Sequence, residues 1–143
     1  MRRPPPSDPQ RSALMARVGR KGTAAERAVG EALRSLGAAY RLNVRGLPGS
    51  PDFANRRRNW AVFVHGCFWH HHTGCSRATV PKANRDFWRA KFVDNRRRDA
   101  RAVRALRRSG FRVALIWECE VGDEPTLTAK LSKILEAGRV DVR

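Results

Sequence analysis

Apolar positions along the chain fall into seven runs whose spacing separates helix from strand. Thr23-Ala-Ala-Glu26 has the form of a capping box, and Val29, Leu33 and Leu36 follow at helical intervals. Gly37 then supplies a natural left-handed terminus, so the spacing predicts a helix starting at Thr23. A strand is expected from about Ala39 to Val44, then a turn through Gly46-Leu-Pro-Gly-Ser-Pro51. Asp52-Phe53 leaves that turn, and Arg56-Arg-Arg-Asn59 reads as a hairpin turn into an unbroken apolar run, 60–65. Such a run is the signature of a buried strand. Pro81 and Asn84 lead into a long helix with apolar positions Phe87, Trp88, Phe92, Val93, Val103 and Leu106. Arg96-Arg-Arg98 falls on its solvated side, and a break is expected near Asp94-Asn95. Ser109-Gly110 ends it, and Phe111 to Trp117 reads as another buried strand with Cys119 just beyond. Pro125, at the first helical position, opens a last helix whose core face is Leu127, Leu131, Ile134 and Leu135. The order α-β-β-β-α-β-α implies an α/β protein, a mixed sheet with helices on its faces.

Composition narrows the partner. The chain has 143 residues, enough for one domain with a real core. Residues 1–10, with Pro4, Pro5, Pro6 and Pro9, are expected to form a mobile basic tail, and 11–143 a single domain. Within 11–18, Leu14, Met15 and Val18 either meet a partner or pack on the core. Thirty Lys and Arg against thirteen Asp and Glu give a formal charge of +17, with Arg dominant. The guanidinium fork pairs with phosphate in bidentate fashion, so nucleic acid is favoured over an acidic protein or an anionic membrane. Neither a transmembrane run nor a signal-peptide pattern is present, which points to the cytoplasm. Composition does not separate an enzyme from a DNA-binding module.

Chemistry concentrates between residues 60 and 75, which hold all four histidines and two of the three cysteines. Three cysteines cannot all pair within one chain, and a reduced compartment with thiolate ligands fits better than disulfides. Cys67, His72, Cys75 and Cys119 can form a closed, structural zinc site. His71 is the rival to His72, and three buried cysteines without metal is the plainer alternative. Asp52 and His65 sit at strand ends that can face each other across a hairpin. A carboxylate there can hold magnesium, with His65 and His70 moving protons or polarising phosphate.

Several motifs together resemble the very-short-patch mismatch repair endonucleases, the Vsr family. They are Thr23-Ala-Ala-Glu26, Leu47-Pro-Gly-Ser-Pro-Asp-Phe53, Phe63-Val-His-Gly-Cys-Phe-Trp-His70, Asp86-Phe-Trp88, Asn95-Arg-Arg-Arg-Asp99 and Trp117-Glu-Cys119. The resemblance implies the PD-(D/E)xK restriction-endonuclease-like fold with a histidine-based site and a structural zinc. It implies a monomer that nicks one strand of duplex DNA beside the thymine of a T·G mismatch, the product of 5-methylcytosine deamination. A functional link to a cytosine-5 DNA methyltransferase comes with that activity. By the same resemblance, Asp52 and the backbone carbonyl of Val64 bind catalytic magnesium, and Glu26 orders water around it. His70 is the general base and His65 a phosphate-side partner. Cys67, His72, Cys75 and Cys119 match the zinc ligands. Phe68, Trp69 and Trp88 match aromatics that enter the DNA, and Met15 lies in a segment closing over the duplex. Val64 stands where the family pattern has Thr, and Ser50 where it has Arg. A nuclease of the same fold with relaxed specificity and a non-catalytic zinc-containing DNA-binding module are the alternatives.

Overall fold

The apolar run 60–65 forms the strand on which the rest is laid. In the computed structural model, which describes residues 24–139 and their side chains to 135, all six residues from Trp60 to His65 are buried. This strand, β3, pairs antiparallel with β2 (Phe53–Asn55) and parallel with β4 (Arg112–Trp117); the two-residue β1 (Arg41–Leu42) completes the order β1-β2-β3-β4. A strand covered on both faces must be apolar on both, which is why the run does not alternate. Trp60, Val62 and Val64 face one layer, where Val29 and Leu33 of helix α1 (Ala24–Ser35) meet Leu127, Leu131 and Ile134 of helix α3 (Glu124–Arg139). Ala61 and Phe63 face the other, against Ala102, Val103 and Leu106 of helix α2 (Arg85–Arg108). The result is a sheet between two helical layers.

Three element boundaries and one core position differ from the sequence expectation. The break near Asp94-Asn95 does not occur: α2 runs unbroken through 24 residues. The Asn95 amide reaches the Trp69 carbonyl at 2.9 Å, so it does not compete for its own backbone. Val93, expected in the apolar face of this helix, is 37% exposed. β1 is shorter than 39–44, because Asn43 takes φ +46 and turns the chain while its N–H still bonds the Asp52 carbonyl. Pro125 is the second helical residue, not the first. Asp123 caps α3, its carboxylate accepting the Thr126 N–H at 3.3 Å and the Thr126 hydroxyl at 2.7 Å. The other ends follow the expected signals, Gly37 at φ +75 after α1 and Gly110 at φ +89 after α2. Thr23, Met15 and the expected tail 1–10 lie outside the described residues.

Candidate active site and metal centre

Asp52 is placed by the turn before it. Gly49 has φ +75, and a Cβ there would stand 2.6 Å from that of Ala102, so the turn packs against α2 only because this residue lacks one. Pro51 is fully buried and Asp52 only 6% exposed. Its carboxylate accepts the Val64 N–H at 2.7 Å, a bond that compensates burial and locks the end of β2 to β3. The β2–β3 register sets Phe53 opposite Val62, so Asp52 falls opposite Phe63. Alternation then puts Asp52, Phe63 and His65 on the same face of the sheet, the one covered by α2.

His65 ends β3 on that face, and the chain turns at once. The His70 N–H bonds the Gly66 carbonyl, and this single turn carries His70 back over His65. The two imidazoles stack with centroids 3.8 Å apart and planes 1° from parallel. Asp99 of α2 closes the group, its Oδ2 at 2.7 Å from His70 Nδ1 and 4.0 Å from His65 Nδ1. A carboxylate only accepts, so His70 Nδ1 carries a proton, and in the neutral ring Nε2 keeps a lone pair. That is the tautomer of a general base. Parallel rings direct their lone pairs along parallel planes, not at one point, so the trio suits proton transfer better than shared metal ligation. Asn95 lies one turn before Asp99 and holds the next peptide of the same loop through the Trp69 carbonyl.

The loop then enters a second cluster. The ligand atoms of Cys67, His72, Cys75 and Cys119 all lie within 4.8 Å of one another. His72 Nδ1 stands 3.4 Å from Cys119 Sγ and 3.8 Å from Cys67 Sγ. The Cys67 N–H bonds Glu118 Oε1 at 3.1 Å, tying the loop to the short 3-10 turn Glu118–Glu120 that carries Cys119. Three thiols and one imidazole at this separation are the donor set of a closed zinc site, and the residues fit that ion. Without metal, burial pushes the Cys67 thiol up to about 12. The Arg77 backbone N–H, first among several donors, holds Cys75 below its ordinary range despite burial. His71 is not in this cluster. Its φ of +48 turns the ring away to stack on Phe92 at 4.3 Å, and desolvation lowers its pKa. Trp117 partitions the two clusters, stacked on His72 at 4.0 Å and edge-on to His65 at 5.1 Å.

A family model described as DNA mismatch endonuclease Vsr matches residues 7–77. The chain is 44% identical over 130 residues to the type II nicking enzyme V.XorIIP of Xanthomonas oryzae pv. oryzae, covering 91% of this chain and 95% of that one. It is 37% identical over 118 residues to the DNA mismatch endonuclease Vsr of Escherichia coli K12, covering 82% and 75%. The chain belongs to the Vsr family. In fold it is also similar to the catalytic domain of the homing endonuclease I-Bth0305I, with a TM-score of 0.56 at 22% identity, covering 82% and 98%.

Against the Vsr expectations, His65 and His70 come together, and so do Cys67, His72, Cys75 and Cys119. Neither Asp52 nor Glu26 joins a cluster of three such ligand atoms among the described residues. Glu26 is half-buried in the first turn of α1, on the Val64 side of the sheet. Phe68, Trp69 and Trp88 are gathered with Phe92 into a third apolar cluster, each at most 8% exposed. In the structure these rings pack on one another instead of projecting. Asp99 and Trp117 were given no role by sequence reasoning, although both lie in motifs on which the resemblance to the Vsr family rests. The signal for Asp99 was its spacing from Asn95, two polar residues one turn apart on the side of α2 that also bears Phe92 and Leu106.

Proposed function

We propose that this Vsr-family DNA mismatch nicking endonuclease cuts one strand of duplex DNA beside the thymine of a T·G mismatch, with magnesium at Asp52 and structural zinc at the cysteine cluster. It acts as a monomer in the cytoplasm and initiates repair of T·G mismatches left when 5-methylcytosine, the product of a cytosine-5 DNA methyltransferase, deaminates. Among the described residues no helix is long and apolar enough to cross a membrane. The observation that carries the reading is the His65–His70–Asp99 group, built on the sheet face that Asp52 shares.

The residues suit hydrolysis of a phosphodiester. Asp52 offers a hard oxygen donor held in place by the Val64 N–H, which fits magnesium; the Val64 carbonyl would be a second protein ligand, and Glu26 would order water around the ion. Bound there, magnesium neutralises phosphate charge and lowers the pKa of water. His70 Nε2 takes the proton of the attacking water, and Asp99 stabilises the imidazolium that results. His65, stacked beneath, presents its ring to a phosphate oxygen. Zinc holds the ends of the loop, and through them His70. Phe68, Trp69 and Trp88 select the mismatch, since leaving their cluster to enter the stack costs least where pairing is poor.

Labelled T·G, T·A and C·G duplexes, incubated with protein and magnesium and mapped on both strands, test this. A nick confined to the thymine strand of the T·G duplex is expected. Equal cleavage of all three refutes the specificity, and cleavage undiminished by EDTA refutes the magnesium.

A further inference from the structure

The outer side of α2 carries a row of charge that the nicking site does not use. Arg97, Arg101, Arg104 and Arg108 recur at steps of four, three and four residues, which aligns them along the helix. All four are exposed, and among the described residues none forms an ion pair with a carboxylate. Like charges at this spacing repel and weaken a helix, and only Arg108 stands in the last turn, where the dipole favours it. Helix stability therefore does not account for the row. Its direction matters too. Phe92, Asn95, Asp99 and Leu106 mark the inner side, and the row lies opposite them, across a helix about 10–12 Å wide. The row therefore faces away from His70 and Asp99.

We propose that this row is a second DNA-contacting surface, holding the phosphate backbone of a duplex segment other than the one being cut. Over about 16 Å of helix it presents four guanidinium forks, while a duplex offers one phosphate charge per ~1.7 Å of axis. Such a row meets phosphate oxygens whatever the base sequence, and Arg is the residue that grips them in bidentate fashion. An acidic protein surface is the rival partner. Its carboxylates do not recur along a line as phosphates do, so the straightness of the row favours duplex. Holding two segments at once lets the enzyme pass between them without entering free solution.

The proposal rests on the endonuclease reading only through the first duplex, and the test separates the two. Zinc-loaded full-length protein is saturated with an immobilised short T·G duplex, and a fluorescent, fully paired second duplex is added. Wild-type protein should capture the second duplex. The variant R97Q/R101Q/R104Q/R108Q should capture it at least roughly tenfold less, with a salt slope shallower by about 3–4. Its single-turnover nicking of a short duplex should stay within about twofold of wild type. Should the fourfold variant lose its zinc or helicity, R97Q/R101Q alone should give an intermediate loss of capture. Equal capture by wild type and a folded variant overturns the proposal, as does absence of capture by wild type. Displacement of the second duplex by polyglutamate, but not by a second unlabelled duplex, assigns the row to a protein and also overturns it. Row-dependent capture by a protein that does not nick supports the surface and refutes only the endonuclease chemistry.

Discussion

Asp99→Asn isolates the contribution of one hydrogen bond to the chemistry. The wild-type bond from His70 Nδ1 is 2.7 Å long, with side chains 30% and 25% exposed, so solvent screens it only partly. A charge-assisted bond of this kind contributes about 1.5–3 kcal/mol. At ~1.36 kcal/mol per decade, this corresponds to a loss of about 10–150-fold in the single-turnover nicking rate. Asparagine is nearly isosteric, so packing under the loop should survive. What changes is the partner of Nδ1: an amide neither stabilises an imidazolium nor enforces the tautomer that leaves Nε2 free. The assay is rapid-quench nicking of a short T·G duplex at saturating protein, with duplex affinity and bound zinc measured on the same preparation. A rate within twofold of wild type refutes the role of Asp99 in setting the tautomer. A loss of rate accompanied by loss of zinc shows that Asp99 holds the loop together instead.

Three further outcomes are expected. Asp52→Ala should abolish nicking while duplex binding persists, since binding comes mainly from many Arg–phosphate contacts; an active variant in a nicking assay removes Asp52 from the site. Cys119→Ala should lower both zinc content and thermal stability, because metal binding at such a site is folding free energy; elemental analysis and a melting curve check it, and unchanged zinc refutes the ligand set. Trp69→Ala should cost about 3–5 kcal/mol by denaturant titration, since the ring is 8% exposed in an aromatic cluster, whereas Trp69→Phe should fold and retain zinc but lose mismatch discrimination.

Acid should act through a clamp between β4 and α3. Burial pushes the Glu120 carboxyl up, but the Lys130 ammonium at 2.6 Å, the Trp117 N–H and the nearby charges outweigh it and hold it below its ordinary range. A carboxyl depressed on folding contributes stability above its unfolded pKa and loses it as pH falls through the folded one. Denaturation midpoints should therefore drop below about pH 4 in wild type, and Glu120→Gln should flatten that part of the profile. A parallel decline in both proteins refutes the assignment.

The parts of this fold most legible in the sequence were those buried on two sides. Residues 60–65 and 111–117 read as strands because their apolar runs do not alternate with polar positions, and Gly37 and Gly110 marked helix ends through their backbone freedom. Less legible were the features that depend on partners far along the chain. The unbroken α2 is explained by an Asn95 bond reaching 26 residues back, and no local pattern announces it. Asp99 sits in a run of arginines that looks like a solvated face, yet helical rotation turns this one residue inward toward His70. Between His71 and His72 spacing offers no distinction. A single left-handed residue decides which ring meets the thiols, and left-handed conformation is not written in the identity of a histidine. The aromatic residues beside them fill a cluster in the protein and, in the proposed complex, would enter DNA, two uses that composition does not separate.

The eleven residues from His65 to Cys75 serve different neighbours almost position by position. His65 and His70 belong to one group, Cys67, His72 and Cys75 to another, Phe68 and Trp69 to a third, and His71 lies against Phe92. With side chains this interleaved, a point substitution disturbs one group, whereas a change in count disturbs all of them. Deleting or inserting a single residue here would shift every later side chain into its neighbour's surroundings, exchanging thiols, imidazoles and indoles among three incompatible environments. The segment also lends itself to grafting as one piece: moved whole, together with Asn95, Asp99 and Cys119, it carries its own frame of reference, whereas any shorter fragment leaves that frame behind.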